Sequence, residues 1–378
     1  MQPPSRRRFL TTLGTGASTL LATTATSTAK SNQTGDATWM NTFGGPDYQL
    51  QTVTRAHDRS VLLVGRTGSS NQDAVWLATV GPDGEERWST TVDARGFPRL
   101  EDGVLTPDGY LFAGIAGDAG ATPWILGTDE SGARTWEWFG DAHGGLRHVT
   151  RIRDRYAITG FQGEPARSDT SVTGWLRVVD ADGTRQLDRT LAARYAGDAC
   201  RFDGGLAVVG DATETSDAAS DVWWAALTDA GDTTRESRFG GVADEAARSV
   251  VPVGGGLLLG GLTDSPADVD TRAGLLLRTD GDGNPVWWRT YDLHGVLGLQ
   301  ATRNGFAFTG EPPDTDDGRD PAKPLVLVDR WGRVTHRSTV SVDQGSAVGL
   351  ARFADGGYAL AGWSADGPWV ARFDVPAD

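Results

Sequence analysis

Short runs of β-branched, aliphatic or aromatic residues, each ended by a glycine, recur along this chain. They close on Gly65, Gly114, Gly160, Gly210, Gly261, Gly310 and Gly362, so successive glycines stand 49, 46, 50, 51, 49 and 52 residues apart. Around each run the same order returns: a strand leading in, a turn often of Asp-Gly-Gly type, the glycine-ended strand, a third strand carrying an aromatic, and an Asp-Gly turn. The third strands include Val75-Trp76-Leu77-Ala78, Pro123-Trp124-Ile125-Leu126, Gly174-Trp175-Leu176-Arg177, Trp223-Trp224-Ala225-Ala226 and Pro368-Trp369-Val370-Ala371. No 3.6-residue apolar period accompanies them, which excludes a helical solenoid. A strand-rich period near fifty is what one four-stranded propeller blade occupies. The predicted fold is therefore all-β: a seven-bladed β-propeller of four-stranded antiparallel blades.

The turn after the third strand reads Asp83-Gly84, Ser131-Gly132, Asp182-Gly183, Ala230-Gly231, Asp282-Gly283 and Trp331-Gly332. Glycine there suits a hairpin position that needs positive φ. In three blades a tryptophan follows four residues after the glycine, namely Trp88, Trp136 and Trp287. The chain ends too soon after its seventh third strand for a seventh fourth strand. Residues 37–43, ending in Phe43 before Gly44-Gly45, match the close of a later fourth strand at Phe239 before Gly240-Gly241. They are predicted to complete the last blade, which would close the ring and remove its open edges.

Upstream of that strand, Ser5-Arg6-Arg7-Arg8-Phe9-Leu10 precedes a stretch rich in Ala, Thr, Gly and Leu and then Ser27-Thr28-Ala29. This resembles a twin-arginine export signal over residues 1–29, with 30–36 as a short linker and 37–378 as one propeller domain. The apolar stretch is too diluted by Thr for a membrane span, so an extracellular or cell-surface location is expected, with no span in the mature chain. The only cysteine is Cys200, which excludes a lipidated N-terminal cysteine and any intramolecular disulfide.

The whole chain carries a net charge of −15; without the three signal arginines, 32 basic residues face 50 acidic ones, a net charge of −18. Nucleic acid and anionic membranes are thereby disfavoured as partners. The two lysines, Lys30 and Lys323, and the excess of Asp over Glu resemble proteins of salt-loving archaea, in which surface acidity serves solubility.

Two stretches, Thr128-Asp129-Glu130-Ser131-Gly132-Ala133-Arg134-Thr135-Trp136 and Thr279-Asp280-Gly281-Asp282-Gly283-Asn284-Pro285-Val286-Trp287, resemble the tryptophan-docking repeat of quinoprotein propellers, with the Asp-to-Gly step one residue shorter. The resemblance implies the propeller fold. In that family it also implies eight blades, a ring of adjacent cysteines over pyrroloquinoline quinone (PQQ), a Ca²⁺ held by Glu, Asn and Asp, and a catalytic Asp. Seven repeats and one cysteine depart from this pattern, and no acid set carries over residue by residue. The fold is expected, and PQQ and Ca²⁺ are not.

Propeller ligands gather at the mouth of the central channel, on segments leading into each innermost strand. Those segments supply as ligand-binding candidates Tyr48, Arg99, His143, Arg147, Arg194, Asp198, Asp244, Glu245, Arg248, His294 and Gln344. They differ from blade to blade, as a binding surface assembled from several blades would. His143 and His148 could meet His294 across the channel, although none of the five histidines shows a metal-ligand spacing. Asp280-x-Asp282-x-Asn284 starts like a calcium loop but has Tyr291 where a bidentate Glu belongs, and is read as a hairpin turn. The acid-rich 314–320 is read as a solvated loop. Neither a nucleophile elbow nor a phosphate loop occurs. The expected function is a non-catalytic propeller binding a protein, glycan or small molecule at its mouth. The alternative is an enzyme, either a quinoprotein-like dehydrogenase or a carbohydrate-active propeller using acids such as Asp198, Asp244 and Glu245.

Overall fold

A computed structural model describes residues 37–68, 73–117, 122–163, 172–214, 218–264, 272–313 and 321–375. The 1–29 segment read as an export signal and the acidic 314–320 segment lie outside them. Seven four-stranded antiparallel sheets are formed, and the described helical content is one 3₁₀ turn at His57–Arg59. Numbered along the chain, blades 1 to 7 begin with the innermost strands Tyr48–Arg55, Arg99–Thr106, Gly144–Ile152, Tyr195–Phe202, Glu245–Val253, Leu297–Ala301 and Ser346–Arg352. The apolar side chains do not meet in one centre. They form seven small cores, each shared by two neighbouring blades, and the core joining blade 7 to blade 1 closes the ring.

The blade glycines lie where two strands come closest. In each innermost strand an extra residue bulges near the upper end, for example between Leu100 and Asp102 or between Ala196 and Asp198. At the bulge the inner strand's backbone presses on the second strand. A β-carbon added at Gly114, Gly160, Gly210, Gly261 or Gly362 would stand 2.0 Å or less from a carbonyl oxygen of the inner strand; at Gly65 it would stand 2.5 Å from one, and at Gly310 it would stand 2.1 Å from Gly295 O, just before the inner strand of blade 6. Large residues crowd the other side: Trp76, Trp124, Trp175, Trp223 and Trp369 lie directly opposite their blade glycines on the third strand. Leu275 takes that place opposite Gly261. These glycines are therefore required by close backbone approach.

The six predicted hairpin glycines have φ between 74° and 85°. In four blades a bulky residue of the fourth strand rests on the next blade's turn: Trp88 over Gly132, Trp136 over Gly183, Leu187 over Gly231 and Trp287 over Gly332, while Trp224 of a third strand rests on Gly283. Trp136 Nε1 also donates to Ala181 O at 3.1 Å. The turns themselves are held by aspartates. Asp280 Oδ1 accepts the amides of Asp282 (3.0 Å) and Asn284 (2.8 Å), which is the hairpin turn the sequence suggested.

The predicted seam is present. Trp39–Thr42 pairs antiparallel with Gly367–Phe373 as the fourth strand of blade 7, with Trp39 opposite Arg372 and Thr42 opposite Trp369. Trp39 then repeats the docking of its counterparts: its Nε1 donates to Pro82 O in blade 1 at 2.9 Å, and Asn41 Nδ2 donates to Gly84 O at 2.9 Å. Arg372, from the same sheet, reaches Pro82 O at 3.0 Å.

Two outcomes are expected. Deleting residues 37–43 should lower the thermal midpoint by about 10 °C or more, because it removes a paired strand and the blade 7–blade 1 dock; an unchanged midpoint in differential scanning calorimetry would refute the seam. Gly210→Ala should cost upward of about 3 kcal/mol, because the backbone it strikes cannot yield cheaply. Gly254→Ala, where an added β-carbon meets nothing within 4 Å, should be near neutral in the same denaturant titration.

Candidate functional site

The bulges that place the glycines also shape the channel mouth. The extra residues are Gln51, Glu101, Arg147, Gly197, Arg248 and Val348 in blades 1, 2, 3, 4, 5 and 7. Blade 6 has a longer irregularity between Leu297 and Gln300. The residue after each bulge faces the ring axis: Thr52, Asp102, His148, Asp198, Ser249 and Gly349, with Gln300, line a cavity of about 480 Å³.

Within that cavity His148 bridges two blades. Its Nδ1 lies 2.7 Å from Asp102 Oδ2 and its Nε2 lies 2.7 Å from Asp198 Oδ1. A neutral imidazole carries a single N–H, so two ionised carboxylates at hydrogen-bond distance require the doubly protonated ring. Burial opposes that charge, but Asp102 and Asp198 outweigh it and hold the imidazolium pKa well above the ordinary 6.5. The carboxylates are occupied as well. Asp102 Oδ2 accepts the Val149 amide at 3.0 Å, Asp198 Oδ2 accepts the Val250 amide at 2.8 Å, and Asp198 Oδ1 accepts the Ala199 amide at 2.5 Å. One polar chain thus ties the inner strands of blades 2, 3, 4 and 5. Gln51 extends it from blade 1 by accepting the Leu100 amide at 3.0 Å, and Gln300 of blade 6 donates to Leu350 O of blade 7 at 2.6 Å.

Above this girdle the charges are mostly arginine. Glu101 receives Arg99 at 3.0 Å and Arg147 at 3.8 Å. Arg147 lies over the Phe161 ring, Phe161 meets Tyr195 edge-on at 5.0 Å, and Arg194 lies over Tyr195 while pairing with Asp211 at 2.9 Å. Arg248 has no ion pair among the described residues. Burial lowers its guanidinium pKa, as do the nearby charges of Arg147 and Arg272, while Asp211 opposes them.

Of the sequence candidates, Arg99, Arg147, Arg194, Asp198 and Arg248 converge on the mouth of blades 2 to 5. The others serve elsewhere. Tyr48 packs edge-on against Trp76. Asp244 Oδ1 accepts the amide and hydroxyl of Ser220, and buried Glu245 accepts the Gly241 amide and the Thr263 hydroxyl, so both acids anchor loops. His143, His294 and Gln344 are exposed in the turns before the inner strands of blades 3, 6 and 7, and none of them lines the cavity. His148 alone of the three histidines reaches the channel. Among the described residues no group of three His, Cys, Asp or Glu side chains is placed to hold a metal ion. Cys200 is buried, and burial pushes its thiol pKa up.

Asp102 and Glu101 escaped the sequence reading, and His148 entered as a histidine that could meet His143 and His294 across the channel. A signal existed: Asp102, His148 and Asp198 each stand twelve residues before their blade glycines Gly114, Gly160 and Gly210. Equal phase in three consecutive repeats places the three side chains at one height around the axis.

No family profile matches the chain, and neither does any curated protein. Solved structures do. Pyrococcus horikoshii acylaminoacyl peptidase superposes with a TM-score of 0.51 at 14% identity over 86% of this chain, which spans only 51% of that peptidase. The β-propeller domain of the Trilobed protease from Pyrococcus furiosus, described as having an open velcro topology, gives a TM-score of 0.50 at 12% identity over 87% of this chain and 94% of its own. Sqt1 from Chaetomium thermophilum gives 0.52 at 10% identity over 90% and 99% of the two chains. Likeness at such identities is a likeness of fold, and the fold it supports is the seven-bladed β-propeller.

Proposed function

We propose that this chain is an exported, non-catalytic binding propeller of the extracellular space or cell surface, whose ligand approaches the arginine-rich mouth of blades 2 to 5. The supporting observation is the mutual engagement of His148, Asp102 and Asp198 in the channel. Both nitrogens of His148 donate into carboxylates, and both carboxylates also accept backbone amides. A general base needs an available lone pair and a general acid needs a proton it can release toward substrate. Here each is committed to joining blades, so the constellation holds the mouth rigid and leaves recognition to the side chains above it. The export signal and the acidic composition favour the extracytoplasmic setting.

Two experiments test this. Thermal-shift screening against neutral and acidic saccharides and tripeptides, followed by amide chemical-shift mapping of the hits, should perturb residues 99–102, 147–148, 197–198 and 248–249. Hits confined to the opposite face would sink the assignment. Reconstitution with PQQ and Ca²⁺ should give no stoichiometric chromophore and no dye reduction; both together would favour the dehydrogenase instead.

The latch also sets a pH dependence. A histidine whose pKa is raised on folding contributes stability that is complete below its unfolded pKa, near 6.5, and is lost as pH rises through the raised folded value. The melting temperature of wild type should therefore exceed that of His148→Gln most at pH 5–6.5, and the gap should narrow steadily toward pH 10. A gap that widens with rising pH would exclude the imidazolium bridge.

A further inference from the structure

The bulge positions alternate in a way that the proposed binding mouth makes use of. Blade 3 contributes Arg147, blade 4 contributes Gly197 and blade 5 contributes Arg248. The middle blade has no side chain at this height. Its bulge packs directly on the next one: a β-carbon at Gly197 would stand 2.7 Å from Ala247 O and 3.1 Å from Arg248 Cα. Two guanidinium-bearing side chains thus flank a gap one blade wide.

Their charges are unequally answered. Glu101 is shared between Arg99 at 3.0 Å and Arg147 at 3.8 Å, so it only partly neutralises Arg147. Asp211 is engaged by Arg194, and Asp264 by Arg272 at 2.8 and 3.0 Å. Arg248 pairs with no acid among the described residues. Arg147 and Arg248 are both exposed and close enough to repel each other, a repulsion that a bound anion relieves. Among the described residues the nearest acid to act on Arg248 is Asp211, and it is already engaged by Arg194. The arginines are also held ready: Arg147 lies 5.4 Å over Phe161, which Tyr195 braces, and Arg194 lies 5.0 Å over Tyr195. Stacking on aromatic faces restricts a guanidinium while leaving its N–H edges free to form a fork.

We infer that Arg147 and Arg248, flanking the side-chain-free bulge of blade 4, form a carboxylate-binding subsite at the channel mouth. The guanidinium forks match a planar carboxylate in a two-point geometry. Shape discriminates here: the planar two-oxygen edge of a carboxylate matches a guanidinium fork better than the tetrahedral oxygens of sulfate. Both a sugar acid and a peptide C-terminus present such a group.

This inference rests on the mouth being the binding face, and the test separates the two. Galacturonate is compared with galactose, and trialanine with its C-terminal amide, by isothermal titration calorimetry against wild type, Arg248→Gln and Arg147→Gln. At least one acid should bind tenfold or more tightly than its neutral partner, and either substitution should remove that advantage without lowering the melting temperature. The acid that binds identifies the carboxylate's source. Equal affinity for acid and neutral partner, binding of neither acid, an advantage that survives Arg248→Gln, or competition by sulfate as strong as by the acid each overturns the subsite. Neutral ligands that map to the mouth in that event leave the binding face standing, and a mouth unperturbed by any probe removes both.

Discussion

The seven-fold ring depends on one repeated close approach: an inner strand, bulged by one residue, pressed against a second strand that carries no side chain at that point. The carbonyl of the inner strand occupies the volume a β-carbon would need, and a tryptophan or leucine of the third strand fills the other side. The bulge increases local twist, and twist at the same height in every blade is what lets seven flat wedges close around an axis. The most regular sequence feature and the curvature of the ring therefore have a common cause.

The same device generates the functional surface. Because a bulge re-aims the residues around it, blades 2, 3 and 5 each deliver one side chain to the mouth and the next to the channel wall. The framework glycine constrains neither of these two positions, so they are open to diversity. Blades 2 to 5 use them for Glu101 and Asp102, Arg147 and His148, Gly197 and Asp198, and Arg248 and Ser249. The wall position carries the polar latch and the mouth position carries the arginines, one level apart.

Blade-to-blade adhesion is distributed in the same manner. Each apolar core belongs to two blades, and polar pairs reinforce the seams. Arg177 of blade 3 lies 3.7 Å over the Trp138 ring of blade 2 and pairs with Asp188 at 2.6 Å. Lys323, fully buried, pairs with Glu311, which in turn accepts the Ser346 hydroxyl of blade 7 at 2.8 Å. Buried charges survive only when matched, and these two are. Arg248 at the mouth, without such a match, stands apart from the structural arginines.

The order of strands, the blade count, the hairpin turns and the closing strand were all legible in the sequence, because each is written in local chemistry: period-two apolar runs, turn glycines, and a Phe43-Gly44-Gly45 close that repeats Phe239-Gly240-Gly241. The functional level was legible only in part. Arg147, Arg248 and Asp198 stood out as charged residues near inner strands, but so did Asp244 and Glu245, which anchor loops. Nothing local distinguishes a carboxylate that accepts a neighbouring amide from one that faces the axis. That distinction depends on which side of a one-residue bulge the side chain falls, and on which blade stands beside it. Asp102, His148 and Asp198 lie some fifty residues apart and meet only because the ring brings three equivalent positions to one height. The chain alone determined the ring; the tertiary structure decided which of its charges answer one another and which are left facing the mouth.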